Sequence, residues 1–116
     1  MGLTHYTTRV TGPKAVATLE FLVDTGAGYT VLPQATWRTL GLVPQRREVF
    51  TLADGTHIER DMSECLIIVE KMEGHTPVVL GEEDDTALLG VITLEQFGLM
   101  VNPFTRRLQP MRMMLA

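Results

Sequence analysis

The chain has a single cysteine, Cys65, so no internal disulfide can staple it and it suits a reducing compartment. As a side chain, Cys65 reads as small apolar filler on a strand. No run approaches the roughly 18 to 20 apolar residues needed to cross a bilayer. The N-terminal Met1-Gly2-Leu3-Thr4-His5-Tyr6 carries no signal-peptide core and puts tyrosine where a myristoylation signal has serine or threonine. Lysine- and arginine-rich runs are absent, and the net charge of -4 disfavours a nucleic-acid surface. These absences predict a cytoplasmic protein with neither membrane nor nucleic acid as a partner. Internal repeats, low-complexity linkers and composition breaks are missing too, which predicts one domain spanning 1–116. That length suffices for one compact core but not for two catalytic lobes.

What the chain does have is frequent punctuation: Gly12-Pro13, Pro33, Gly41 to Pro44, Asp54-Gly55, Gly74, Gly81, Gly98 and Asn102-Pro103. Short runs rich in valine, isoleucine, leucine and threonine lie between, the pattern of a mostly β domain with tight turns. Val16 to Val23 predicts a strand with Ala17, Leu19, Phe21 and Val23 facing the core. Thr30 to Leu32 predicts a short strand. Gln34 to Leu40 predicts a helix started by Pro33, ended by Gly41 and docked through Trp37 and Leu40. Extended runs at Glu48 to Leu52 and Thr56 to Arg60 flank Ala53-Asp54-Gly55, a hairpin signal. Cys65 to Glu70 and Thr76 to Leu80 read as further strands, and the acidic stretch Gly81 to Asp85 as a solvated loop. Thr93 to Gly98 reads as a short helix with Thr93 as N-cap; Leu99 to Val101 and Arg107-Leu108 flank a last turn.

The chemistry concentrates in Phe21-Leu22-Val23-Asp24-Thr25-Gly26-Ala27, where one carboxylate directly follows an apolar strand. A charge beside buried residues is costly unless hydrogen-bonded, which suggests a use for Asp24. An Asp-x-Gly after a strand is equally a turn that accepts backbone N–H bonds, and the tripeptide alone leaves both readings open. Downstream, Ala87-Leu88-Leu89-Gly90-Val91 is a second apolar run closed by glycine. The order of apolar strand, Asp24-Thr25-Gly26-Ala27, Thr30-Val31-Leu32-Pro33, hairpin, and Leu88-Leu89-Gly90 before a short helix resembles the retropepsin-like aspartic proteases. It is most similar to the small prokaryotic and archaeal members and runs from about Val16 to Leu108.

That resemblance implies a closed, all-β acid-protease barrel with one or two short helices, active as a homodimer. It implies an aspartic endopeptidase with no cofactor and no metal, acting on peptide or protein substrates. Asp24 would be the catalytic aspartate, with Thr25 holding the two loops across the dimer axis and Gly26 turning the backbone so that its N–H meets the carboxylate. The chain holds one Asp-Thr-Gly, whereas hydrolysis by carboxylates alone takes two, so the second would come from another copy. Leu89 and Gly90 would support the loop from behind, and Asp54-Gly55 would form the tip of a flap. Leu22, Ala27, Val31, Leu52, Ile58, Leu88 and Val91 are the expected pocket walls.

The sequence departs from the retroviral pattern at Gly28-Tyr29, where two acidic residues usually stand, and at Val91, where an arginine is usual. His57, Cys65 and His75 match no familiar zinc spacing, and Ser63 lacks a nucleophile elbow. The terminal Met111-Arg112-Met113-Met114-Leu115 suits either a frayed end or a buried contact between subunits. Two other readings compete with the enzyme. One is an inactive dimer that keeps the fold as a peptide-binding or scaffolding module; the other is a plain β-barrel whose Asp24 caps a turn.

Overall fold

The computed structural model describes residues 4–112. Met113 and Met114, and with them most of the methionine-rich segment, lie outside the described residues. The elements run β1 (Thr4–Thr11), β2 (Val16–Val23), β3 (Thr30–Leu32), α1 (Gln34–Leu40), β4 (Arg46–Thr51), β5 (His57–Val69), β6 (Met72–Leu80), β7 (Leu88–Leu89), α2 (Val91–Gln96), β8 (Leu99–Val101) and β9 (Leu108–Pro110). The molecule is thus mostly β with two short helices. No helix among the described residues is long and apolar enough to cross a membrane.

The pairings make a ring. β2 runs antiparallel to β1 and parallel to β7, β3 bridges β7 and β6, and β5 pairs β6. Val10 and Thr11 of β1 then meet Ile67 and Leu66 of β5, joining the two ends of the series. β5 is the spine: one edge pairs β6, and the other serves β4 first and β1 later. Closure of this kind leaves few unpaired strand edges. Phe21, Leu32, Leu40, Ile67, Val78 and Leu89 are fully buried at the centre. Burying each such side chain stabilises the fold by about 1.5–3 kcal/mol.

Strand β2 presents Ala17, Leu19, Phe21 and Val23 to this core, as its alternation predicts. Helix α1 also has the expected bounds. Gly41 ends it at φ 77° with its N–H on the Arg38 carbonyl, while Leu40 is buried and the Trp37 Nε1–H donates to the Gly81 carbonyl at 2.7 Å.

Four features differ from the sequence expectation. β1 was not anticipated, although Tyr6, Thr8 and Val10 alternate inward against β2. The runs ending at Arg60 and beginning at Cys65 are one strand of 13 residues, because the intervening Met62 and Ser63 are buried and paired rather than turning. The turn after β5 falls at Glu70-Lys71, both with positive φ, and not at Gly74, which stays in β6 against the Phe97 ring. Lastly, α2 begins at Val91, with Gly90 in the N-cap position. Thr93 therefore lies inside the helix, and its hydroxyl is buried between those of Thr30 and Thr76, 2.7 Å from each.

Candidate active site

Asp24 stands at the mouth of a narrow crossing. Its own N–H donates to the Leu89 carbonyl at 3.1 Å, just after the Leu22 N–H meets the Ala87 carbonyl at 2.9 Å. β7 is therefore inserted between β2, which it follows in parallel, and β3, which it opposes. On the far side the Val91 N–H donates to the Ala27 carbonyl at 2.9 Å and that of Ile92 to the Gly28 carbonyl at 3.0 Å. The loop between Asp24 and Tyr29 is thus hung from the segment behind it at both ends. A Cβ on Gly90 would lie 2.5 Å from the Tyr29 carbonyl carbon and 2.6 Å from the Gly28 oxygen, so only glycine permits this approach.

Inside the loop, the Gly26 N–H donates to Asp24 Oδ1 at 2.9 Å, and the Ala27 N–H to the Asp24 carbonyl at 3.1 Å. A plain turn would make the first of these bonds as well. What a plain turn would lack is the buried hydroxyl relay behind it. The Gly90 N–H donates to Thr30 Oγ1 at 3.1 Å, and Thr30 meets Thr93, which meets Thr76. The carboxylate is half-buried while Thr25 beside it is exposed.

Asp24 faces a cleft of about 470 Å³. Of the predicted site residues, the cleft brings together Asp24, Gly26, Ala27, Val31, Leu52, Ile58 and Leu88. Leu22 is half-buried on the face of β2 opposite Phe21 and does not line it. Val91 opens α2 behind the loop; Leu89 and Gly90 are buried. Asp54 and Gly55 lie at the exposed tip of the β4–β5 hairpin, outside the lining. There, Gly55 has φ 88°, and Asp54 Oδ1 accepts both the Thr56 hydroxyl at 2.6 Å and its N–H at 3.0 Å. Those bonds hold the Asp54 carboxyl below its usual range, the hydroxyl contributing most.

A second groove of about 470 Å³ lies between Gly12-Pro13 and Leu42 to Gln45 and includes Cys65. Burial, with Glu64 adding, pushes the Cys65 thiol up to about 12, which leaves no thiolate nucleophile there near neutral pH.

Residues 14–96 match the sequence profile of the family described as "gag-polyprotein putative aspartyl protease". The chain belongs to that family. Its fold is similar to that of EIAV protease, solved in complex with the inhibitor HBY-793, at a TM-score of 0.60 and 23% identity over 81% of this chain and 88% of that one. It is also similar to simian foamy virus (mac) protease in solution, at a TM-score of 0.55 and 16% identity over 79% and 94% of the two chains. Likeness at such identities speaks for a shared retroviral-protease fold. Among curated proteins, no sequence matches.

In this member of an aspartyl protease family, the cleft lining includes two aromatic rings. Tyr29 packs edge-on against Phe50 of β4 with ring centroids 6.1 Å apart. A hydrogen bond with Tyr29 foremost, and the nearby Glu48, raise the Arg46 guanidinium above its usual value. The loop and strand β4 are therefore joined by a tyrosine where the sequence offered no obvious contact.

The sequence reading missed Tyr29, Phe50, Arg60, Val79, Asp85 and Thr86 as cleft residues. Hairpin register would have found two of them. Phe50 is the cross-strand partner of Ile58, and Arg60 lies two residues on, on the same face. The acidic stretch is also not wholly solvated. Glu82, Glu83 and Asp84 are exposed, but Asp85 is turned inward to Arg60 because Gly81 is pinned by Leu32 and Trp37.

Proposed function

We propose that this chain is an aspartic endopeptidase whose active form is a homodimer, each subunit contributing Asp24 to one catalytic pair. The observation that carries the reading is the position of Asp24. It ends an apolar strand, is hung from Leu89, and opens onto a cleft roofed by the β4–β5 hairpin. Asp24-Thr25-Gly26 occurs once in the chain, so a second carboxylate of this kind requires a second copy. Two-fold symmetry would supply it through an isologous contact, with the exposed Thr25 at the axis.

In such a dimer the two carboxyl groups share one proton, because like charges about 3 Å apart cannot both ionise. The ionised group takes a proton from a bound water as its oxygen attacks the peptide carbonyl carbon. The protonated group meanwhile donates to the carbonyl oxygen. Collapse of the resulting gem-diol breaks the C–N bond, with a proton passed to the leaving amine, and the pair returns to its starting state. Gly26 N–H on Asp24 Oδ1 holds the carboxylate in place throughout. The substrate would lie extended and pair its backbone with strand edges, its side chains beside the bond resting on Ala27, Val31, Leu52, Ile58 and Leu88. The apolar lining favours apolar side chains at those positions. Hairpin closure would exclude water, with Asp54-Gly55 as the moving tip.

The direct test is casein hydrolysis from pH 3 to 7 by the wild type and Asp24→Asn. Cleavage by the wild type alone supports the reading. Equal cleavage by both would remove Asp24 from the mechanism. No cleavage by either, with a stable dimer, would favour a peptide-binding module.

A further inference from the structure

The cleft has a second charged feature besides Asp24. Arg60 follows the flap hairpin on β5, and its side chain is only 15% exposed. Its Nε donates to Asp85 Oδ2 at 3.0 Å, and its Nη1 lies 3.1 Å from Glu82 Oε1 and donates to the Glu59 carbonyl at 2.9 Å. Asp85 Oδ2 also accepts the Glu82 N–H at 2.7 Å. A guanidinium is a planar fork, and donating in several directions at once fixes its orientation.

Arg60 and Asp85 belong to different chain segments that both line the cleft. Arg60 continues the strand that carries the hairpin. Asp85 sits in the connection between β6 and β7, two residues before Ala87, whose carbonyl holds Leu22. One end of that connection is pinned where the Gly81 N–H meets the Leu32 carbonyl at 2.8 Å and Trp37 reaches the Gly81 oxygen. The other end runs into the Leu88–Gly90 segment behind Asp24. Between them the backbone joins no sheet, so the Arg60 ion pair ties the middle of the connection back to the hairpin strand, where Asp61 of β5 pairs Leu80 of β6.

We infer that Arg60, held by Asp85 and Glu82, is a positioning residue that fixes the β6–β7 connection against the hairpin strand, so that the grip on substrate depends on an ion pair taking no part in bond cleavage. This rests on the proteolytic reading of the cleft. Exposed ion pairs contribute little, but Arg60 is mostly enclosed and the Asp85 side chain is 30% exposed, so screening by solvent is incomplete. Releasing the pair frees residues 82–86 to move away from the hairpin. The loss should fall on binding more than on chemistry.

The experiment uses fluorescein-labelled casein as the probe, with Arg60→Met, Arg60→Lys, Asp85→Asn and the Arg60→Met/Asp85→Asn pair. In steady-state cleavage, KM should rise about three- to tenfold for Arg60→Met and for Asp85→Asn, with a smaller change in kcat. Arg60→Lys should recover part of the loss, and the double variant should be no worse than the poorer single one. An unchanged KM, or a loss confined to kcat, overturns the inference. Binding to Asp24→Asn chains, read by fluorescence anisotropy, separates this claim from proteolysis itself. Adding Asp85→Asn to Asp24→Asn should weaken casein binding about three- to tenfold whether or not the wild type cleaves. If the wild type cleaves nothing while this difference persists, proteolysis fails and the positioning role stands. Equal affinity, or no binding by either chain, overturns the positioning role. Should Arg60→Met fail to fold, as judged by its thermal transition, the Asp85→Asn comparison decides.

Discussion

Replacing Thr93 with valine removes one oxygen from the buried relay behind Asp24 while nearly preserving shape. Thr93 is 0% exposed and its hydroxyl lies 2.7 Å from both Thr30 Oγ1 and Thr76 Oγ1. Thr30 keeps the Gly90 N–H as a partner, whereas Thr76, 1% exposed, is left with an unpaired hydroxyl. Two lost hydrogen bonds at about 1 kcal/mol each, one leaving a buried group unsatisfied, give a destabilisation of about 2–3 kcal/mol. For a domain of this length each kcal/mol moves Tm by about 4 °C, so the midpoint should fall by about 8–12 °C. Circular dichroism melts at one fixed protein concentration measure this, since dimerisation makes Tm concentration-dependent. Thr18→Val, on an exposed strand position, serves as control and should stay within about 0.5 kcal/mol. Thr76→Val added to Thr93→Val should restore part of the loss, because an apolar pair leaves nothing unsatisfied. A Thr93→Val melt indistinguishable from the control would refute the relay's structural role.

Other expectations follow from the same geometry. Gly90→Ala should prevent folding or leave a species that protease digests rapidly, since its Cβ would meet backbone atoms rather than a flexible side chain. Burial raises the Asp85 carboxyl, but bonds from Arg60 and the Glu82 N–H, with the Arg60 charge, hold it below its usual value overall. A depressed folded-state pKa stabilises the fold above the unfolded value of about 3.9, and that contribution disappears as pH falls through the lower folded value. Urea midpoints of wild type and Asp85→Asn should therefore differ by a constant amount from pH 7 to 5 and converge in stronger acid; a gap that widens in acid would contradict the sign. Native Cys65 should resist iodoacetamide at pH 8 and react quickly in urea, because the thiol is 3% exposed and pushed up to about 12.

Much of this architecture was legible in the residues because it rests on local rules. The alternation in β2, the Pro33 and Gly41 boundaries of α1 and the Asp54-Gly55 turn each have a near-neighbour cause. What stayed hidden depends on partners far along the chain. The Glu70-Lys71 turn uses residues with no preference for positive φ, so the long β5–β6 pairing must impose it. Thr93 looks like a helix cap until Thr30 and Thr76 are brought beside it. Likewise, Asp85 reads as one more solvated acid in an acidic run, and only Arg60, 25 residues earlier, turns it inward. The loop around Asp24 and the hairpin residues Leu52 and Ile58 were visible in the sequence, but Phe50 and Arg60 were not, since they enter the cleft by cross-strand register.

The central claim is that one active site uses an Asp24 from each of two chains. Wild type and Asp24→Asn, unfolded together and refolded as an equal mixture at fixed total concentration, measure that directly. If both carboxylates are required and chains pair at random, casein cleavage should fall to about one quarter of the all-wild-type rate, the share of pairs with two intact aspartates. A fall to about one half, the value for chains acting alone, would contradict it.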